Sequence, residues 1–174
     1  MKHFHKVLCL ALMAVSTGYL ATGQTQDKSK RPSPPDQVSQ VVNGKTITID
    51  YSQPSVKDRK IWGELVPFGK VWRTGANEAS WIEVSEDVTI NGKPLPKGKY
   101  GLFTLPGENE WTIIFNKTWN QWGAYEYDDQ KDVLRVVTKP VSSSDFKEKF
   151  TIEISPEGVV TMAWEKLKIP FEIK

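Results

Sequence analysis

VSQVVNGKTITIDY, residues 38–51, places two strand-like runs on either side of Asn43-Gly44. In the second run Ile47, Ile49 and Tyr51 alternate with Thr48 and Asp50, the period-two pattern of a strand with one buried face. An Asn-Gly pair between such runs supplies the two positive-φ positions of a tight hairpin turn, so an antiparallel pair is predicted here.

The same pattern recurs downstream. SWIEVSEDVTI (80–90) reads as strand with a bend near Ser85, and Asn91-Gly92 turns the chain again. Further strands are predicted over 99–105, 111–116, 133–138, 150–155 and 159–165, with IPFEI (169–173) as a last edge strand. No stretch sustains a 3.6-residue period, and no internal repeat is evident. Short strands punctuated by turn signals predict an all-β, single-domain antiparallel β-sandwich over residues 37–174. In LPKGKYGLF, Tyr100 opens a strand just after a Leu-Pro turn and a glycine, as the tyrosine corner of Greek-key sandwiches does. That detail favours an immunoglobulin-like or Greek-key topology over an up-and-down barrel.

The N-terminus sets the expected compartment. Residues 1–23 carry Lys2 and Lys6, an apolar run over 7–15, and small residues at Ala21 and Gly23, the layout of a cleaved export signal. The apolar run is too short to span a bilayer. Cys9 lies inside it, away from the cleavage point where a lipid-anchored cysteine would stand. The expected product is an exported chain, periplasmic or extracellular, that is not an integral membrane protein. Residues 24–36, QTQDKSKRPSPPD, read as a flexible or extended proline-rich lead-in.

Signal removal takes away two of the 23 basic residues, leaving 21 against 21 acidic ones, so the mature chain is formally neutral. Nothing in that balance calls for a nucleic acid partner. Both histidines (His3, His5) and the single cysteine also leave. Without them, Ser-His-Asp and Cys-His catalysis and Cys/His zinc sites are excluded, and no disulfide can form. Carboxylates, Lys, Tyr and Ser remain for any chemistry, and no cofactor or metal is called for.

Ser52–Ala79 is too long for a simple turn between two strands. Within it Ile61, Trp62, Leu65 and Val66 sit at helical spacing before Pro67, which predicts a short helical turn. Val71-Trp72 suggests a short strand. The runs YSQPSVKDRKIWGELVPFGKVWRTGANEAS, KGKYGLFTLPGENEWTIIFNK and WGAYEYDDQKDVLRV resemble the bacterial envelope family called domain of unknown function 2911. The resemblance extends from about Pro35 onward, with Asp58 where the family usually has glycine and Ser80 where it usually has threonine. It implies one secreted domain and brings no activity, substrate or cofactor.

Candidate ligand-binding residues are Trp72, Arg73, Asn77 and Glu78 on the long connection, with Trp119, Trp122 and Tyr125 in the second irregular segment. Arg73 could anchor a carboxylate or a sugar hydroxyl beside Trp72. Alternatively, Arg73 and Glu78 pair with each other or with backbone carbonyls, while Gly75 and Asn77 supply positive-φ turn positions. Structural polar networks being commoner than ligand sites, the second reading is preferred. Of the seven tryptophans, Trp81, Trp111 and Trp164 are assigned to the core and the other four to irregular segments where exposure is easier. Glu126, Asp128, Asp129 and Asp132 lack the spacing of a calcium loop and read as a solvated acidic run. No catalytic residue is assigned. Asp50, Glu78 and Glu126 are the carboxylates a glycan hydrolase could draw on. Three readings follow: a non-catalytic module binding an envelope protein or glycan, a carboxylate-based glycan hydrolase, and a purely structural accessory domain.

Overall fold

The computed structural model describes residues 27–174; the export signal read over 1–23 lies outside them. Ten strands follow in chain order: β1 (Pro35–Val42), β2 (Lys45–Ser52), β3 (Trp81–Val84), β4 (Val88–Ile90), β5 (Lys93–Leu95), β6 (Gly98–Leu105), β7 (Trp111–Asn116), β8 (Asp132–Thr138), β9 (Val141–Ile154) and β10 (Val159–Glu172). Six of them form one antiparallel sheet in the order β1-β2-β3-β6-β7-β8. β9 pairs with β10, and β4 with β5. Hydrogen bonds from Thr89 N to Lys174 O (2.7 Å) and Asn91 N to Glu172 O (2.9 Å) join β4 to the end of β10. The second layer therefore runs β9-β10-β4-β5, and the two layers stack as an open sandwich.

Alternation fixes which faces meet. Ile47 and Ile49 of β2, Ile82 of β3, Leu102 of β6 and Phe115 of β7 are buried against Phe150, Ile152, Met162, Trp164 and Phe171 of the second layer. Asn43 (φ 50) and Gly44 (φ 80) make the left-handed pair the first hairpin needs, as do Asn91 (φ 46) and Gly92 (φ 78). The Tyr100 hydroxyl donates to Pro96 O at 2.8 Å, closing a tyrosine corner at the start of β6. Among the described residues, no helix is long and apolar enough to cross a membrane.

Three expectations change. The strand expected over 150–155 begins at Val141, and the last two predicted strands merge into β10. The helical turn at Ile61–Val66 is absent. Val66 N and Leu65 N each reach back five residues, to Ile61 O and Lys60 O, because Gly63 takes φ +84 and breaks the helical run. Ile61 and Val66 are still buried, so the spacing reported burial correctly and local geometry wrongly. Finally, the lead-in is tied down over the residues described. Gln53 N donates to Pro34 O (2.9 Å) and Asn77 Nδ2 to Ser33 O (2.9 Å).

Candidate functional site

One row of residues crosses the outer face of the six-stranded sheet. Register pairs Gln37 with Asp50, Asp50 with Trp81, Trp81 with Gly101, Gly101 with Asn116 and Asn116 with Asp132. Gly101 is the gap in that row. A Cβ there would lie 3.0 Å from Thr118 O and 3.3 Å from Trp119 Cα, so its absence lets the 117–127 segment rest directly on the sheet.

That segment meets the long connection edge to edge. Ala79 N donates to Gln121 O (3.0 Å) and Gly123 N to Asn77 O (3.0 Å), with Glu78 paired opposite Trp122. The two irregular stretches singled out in the sequence thus form one short antiparallel ladder over the outer sheet face. Asp132 locks it from below. Its carboxylate accepts from Asn116 Nδ2 (2.7 Å), the Tyr127 hydroxyl (2.8 Å) and Arg135 Nε (2.6 Å). Burial and the bonded Asp132 carboxylate push the Tyr127 hydroxyl up to about 12. Asp128 accepts from Gln130 N, capping a 3-10 turn. Two members of the acidic run, Asp128 and Asp132, are therefore structural.

A cleft of about 290 Å3 opens beside the ladder, lined by Asp50, Glu78, Trp81, Trp119 and Gln121, with Lys28 from the lead-in. Lys99 lies between the two indoles, its Nζ 3.3 Å from the Trp81 ring centroid and 4.1 Å from that of Trp119. The two carboxylates have opposite proton affinities. Burial pushes the Asp50 carboxyl up and the negative Glu78 adds to it, against a hydrogen bond from Gln37 and the positive Lys99 and Lys28. Burial also opposes ionisation of Glu78, but hydrogen bonds from Lys28 and Arg31 outweigh it and hold that carboxyl below its usual value. Glu78 lies 3.0 Å from Lys28 Nζ and accepts from Arg31 Nη1 at 2.8 and 3.1 Å.

The chain matches the family model described as "Protein of unknown function (DUF2911)" over residues 33–173. It belongs to the DUF2911 family. No curated protein and no solved structure matches it. Family membership covers the whole sandwich of this DUF2911 chain, from the docked lead-in to the end of β10, and is silent on activity.

The candidate residues divide among three places. Glu78 and Trp119 line the cleft. Trp122 is 51% exposed beside it, with the Arg31 guanidinium 5.8 Å from its ring centroid. Trp72, Arg73 and Tyr125 line a second cleft beyond the ladder. Asn77 is used internally. It takes φ +60, as expected, and its amide donates to Ser33 O and Ser52 Oγ. Gly75 (φ +155) is pressed against Ser52, where a Cβ would come within 3.0 Å of the backbone oxygen. Of the two structural pairings considered, Arg73 with Glu78 does not form, because the lead-in supplies both cations that bind Glu78.

Three tryptophan assignments are reversed. Trp81, assigned to the core, faces outward into the cleft, since Ile82 and Val84 take the inner positions of β3. Trp62 and Trp72, assigned to irregular segments where exposure is easier, pack with Trp111 and Trp164 at centroid distances of 5.2–6.4 Å. Trp72 also bonds both ways to Thr104, an isolated bridge in place of the short strand expected over Val71-Trp72. Lys28, Arg31, Lys99 and Gly101 were not singled out by sequence. Only Gly101 had a signal, a glycine inside a strand.

Proposed function

We propose that this DUF2911 chain is an exported, non-catalytic binding module whose outer-face cleft takes a glycan of the cell envelope. One observation carries the reading: the Trp81 and Trp119 indoles, the Asp50 and Glu78 carboxylates and Asn120 line one cleft between strands β2 and β3 and the two irregular segments. Indole faces pack against sugar C–H groups, while carboxylates and amides bond to hydroxyls. The cleft lies at the lower end of small-ligand pockets, which span about 300–1,000 Å3, and suits a single sugar ring or a chain end. The signal-like N-terminus supports export to the periplasm or beyond.

Calorimetric titration of the mature chain against envelope polysaccharides and their fragments tests this. Wild type is expected to bind at least one, and Trp119→Ala and Trp81→Ala to weaken that binding at least about tenfold, since an aromatic anchor is worth about 2 kcal/mol or more. Absence of binding across the set, or equal affinity in both variants, contradicts the proposal.

A second reading has one observation behind it. Burial raises the Asp50 carboxyl, while at Glu78 burial is outweighed by hydrogen bonds from Lys28 and Arg31 that lower that carboxyl, a split in the direction a glycosidase pair requires. The same titration series decides it, because a hydrolase would release reducing sugar and Asp50→Asn would abolish that release.

A further inference from the structure

Among the described residues, no side chain or ion-pair partner answers the Arg73 guanidinium. Its Nε is buried with no hydrogen-bond partner. A guanidinium cannot shed its proton to escape burial. Arg73 as a whole is only half-buried, so the guanidinium keeps access to the cavities beside it while its enclosed Nε–H goes unanswered.

The surroundings say what that is. Arg73 and Trp72 stand between two cavities of about 320 and 200 Å3 and line both. The first adds Lys70 and the second Arg59, and no acidic residue lines either. Arg59 is anchored by donation to Val56 O (3.0 Å) and Ser55 O (2.6 Å), which fixes a second positive charge nearby. The remaining surface is apolar: Trp72 belongs to the aromatic cluster, and Leu65 (45% exposed) and Tyr125 (83% exposed) stand at the mouth. Gly123 makes room for the guanidinium. A Cβ there would come within 2.6 Å of Arg73 Nη1.

The geometry points to a second binding site, centred on Arg73, for a small organic anion: a carboxylate attached to an apolar body. The carboxylate accepts from the unanswered guanidinium nitrogens, whose planar fork matches its two oxygens. The apolar body lies along Trp72 and Leu65. This site is separate from the glycan cleft, since Gln121 lines that one and Ala124 and Tyr125 line this one.

Benzoate, phenylacetate and hexanoate, with benzamide as neutral counterpart, serve as probes of the mature chain. Calorimetry gives affinity, and 15N-arginine NMR follows the Arg73 Nε–H signal. At least one carboxylate is expected to bind and to move that signal, with benzamide at least about tenfold weaker, the worth of one charge-assisted bond. Arg73→Met is expected to lose the carboxylate by a similar factor while melting at the same temperature or higher, because it removes a buried Nε–H that has no hydrogen-bond partner. Three results would each overturn the proposal: no carboxylate moves the Arg73 signal, benzamide binds equally well, or Arg73→Met keeps its affinity. A melting temperature several degrees lower in Arg73→Met, with no carboxylate binding to wild type, would instead make the guanidinium structural.

Discussion

Asp50 and Glu78 share a cleft but respond to pH in opposite directions. The Asp50 carboxyl is raised in the fold, so its contribution to stability is present below the ordinary carboxylate value and is lost as pH rises through the raised one. Glu78 is lowered, so its contribution is present above the ordinary value and is lost as pH falls through the lowered one. Asp50→Asn should therefore gain melting temperature over wild type as pH rises from acid toward neutral. A gap that stays constant across a calorimetric pH series would rule out the raised carboxyl. Glu78→Gln should cost less than about 1 kcal/mol, because exposed ion pairs contribute little and the Glu78 side chain is 40% exposed. Its larger effect should be on the lead-in: limited trypsin digestion should cut after Lys28 or Lys30 faster than in wild type. Tyr100→Phe breaks the bond to Pro96 O, for an expected loss of about 0.5–1.5 kcal/mol by urea unfolding.

Among the elements, the strands were legible in the sequence and the connections were not. Ile47, Ile49 and Tyr51 announce β2 because a strand with one buried face must alternate, and Asn-Gly announces its turn. By the same rule Trp81 belongs on the outer face, since Ile82 and Val84 claim the inner positions, although its residue type by itself points to the core. The long connection was recognisable as anomalous but not foldable by inspection, because its shape comes from distant partners. Ser55 bridges to Lys149, Trp72 to Thr104 and Glu78 to Trp122. Spacing along the chain carries no record of such pairings. Gly101→Ala tests the seating of the second irregular segment. Its Cβ would meet the Phe103 ring at 2.6 Å and Thr118 O at 3.0 Å, so a loss of about 1–3 kcal/mol is expected. The aromatic plug at the other side should be more sensitive. Trp164→Ala should cost about 3–5 kcal/mol, whereas Leu65→Ala, at an exposed position, should stay within about 0.5 kcal/mol. Comparable losses in the two would show that Trp62 and Trp72 do not depend on the cluster.

In the whole molecule, the second layer supplies the hydrophobic partner and the six-stranded layer carries the carboxylate-lined cleft on its outer face. Among the described residues there is no cysteine or histidine, so the core supplies the rigidity without a disulfide or Cys/His metal ligands. The row from Gln37 to Asp132 is the platform, and the ladder of 77–79 with 121–123 divides its upper surface into a cleft with two carboxylates and a cationic one. The indole N–H signals of the seven tryptophans report on that division directly. In a 15N NMR titration of the mature chain with an envelope glycan, the Trp81 and Trp119 signals should shift together while those of Trp111 and Trp164 stay fixed. Shifts confined to the buried indoles, or no shift with any glycan of the series, would contradict the cleft as a binding site.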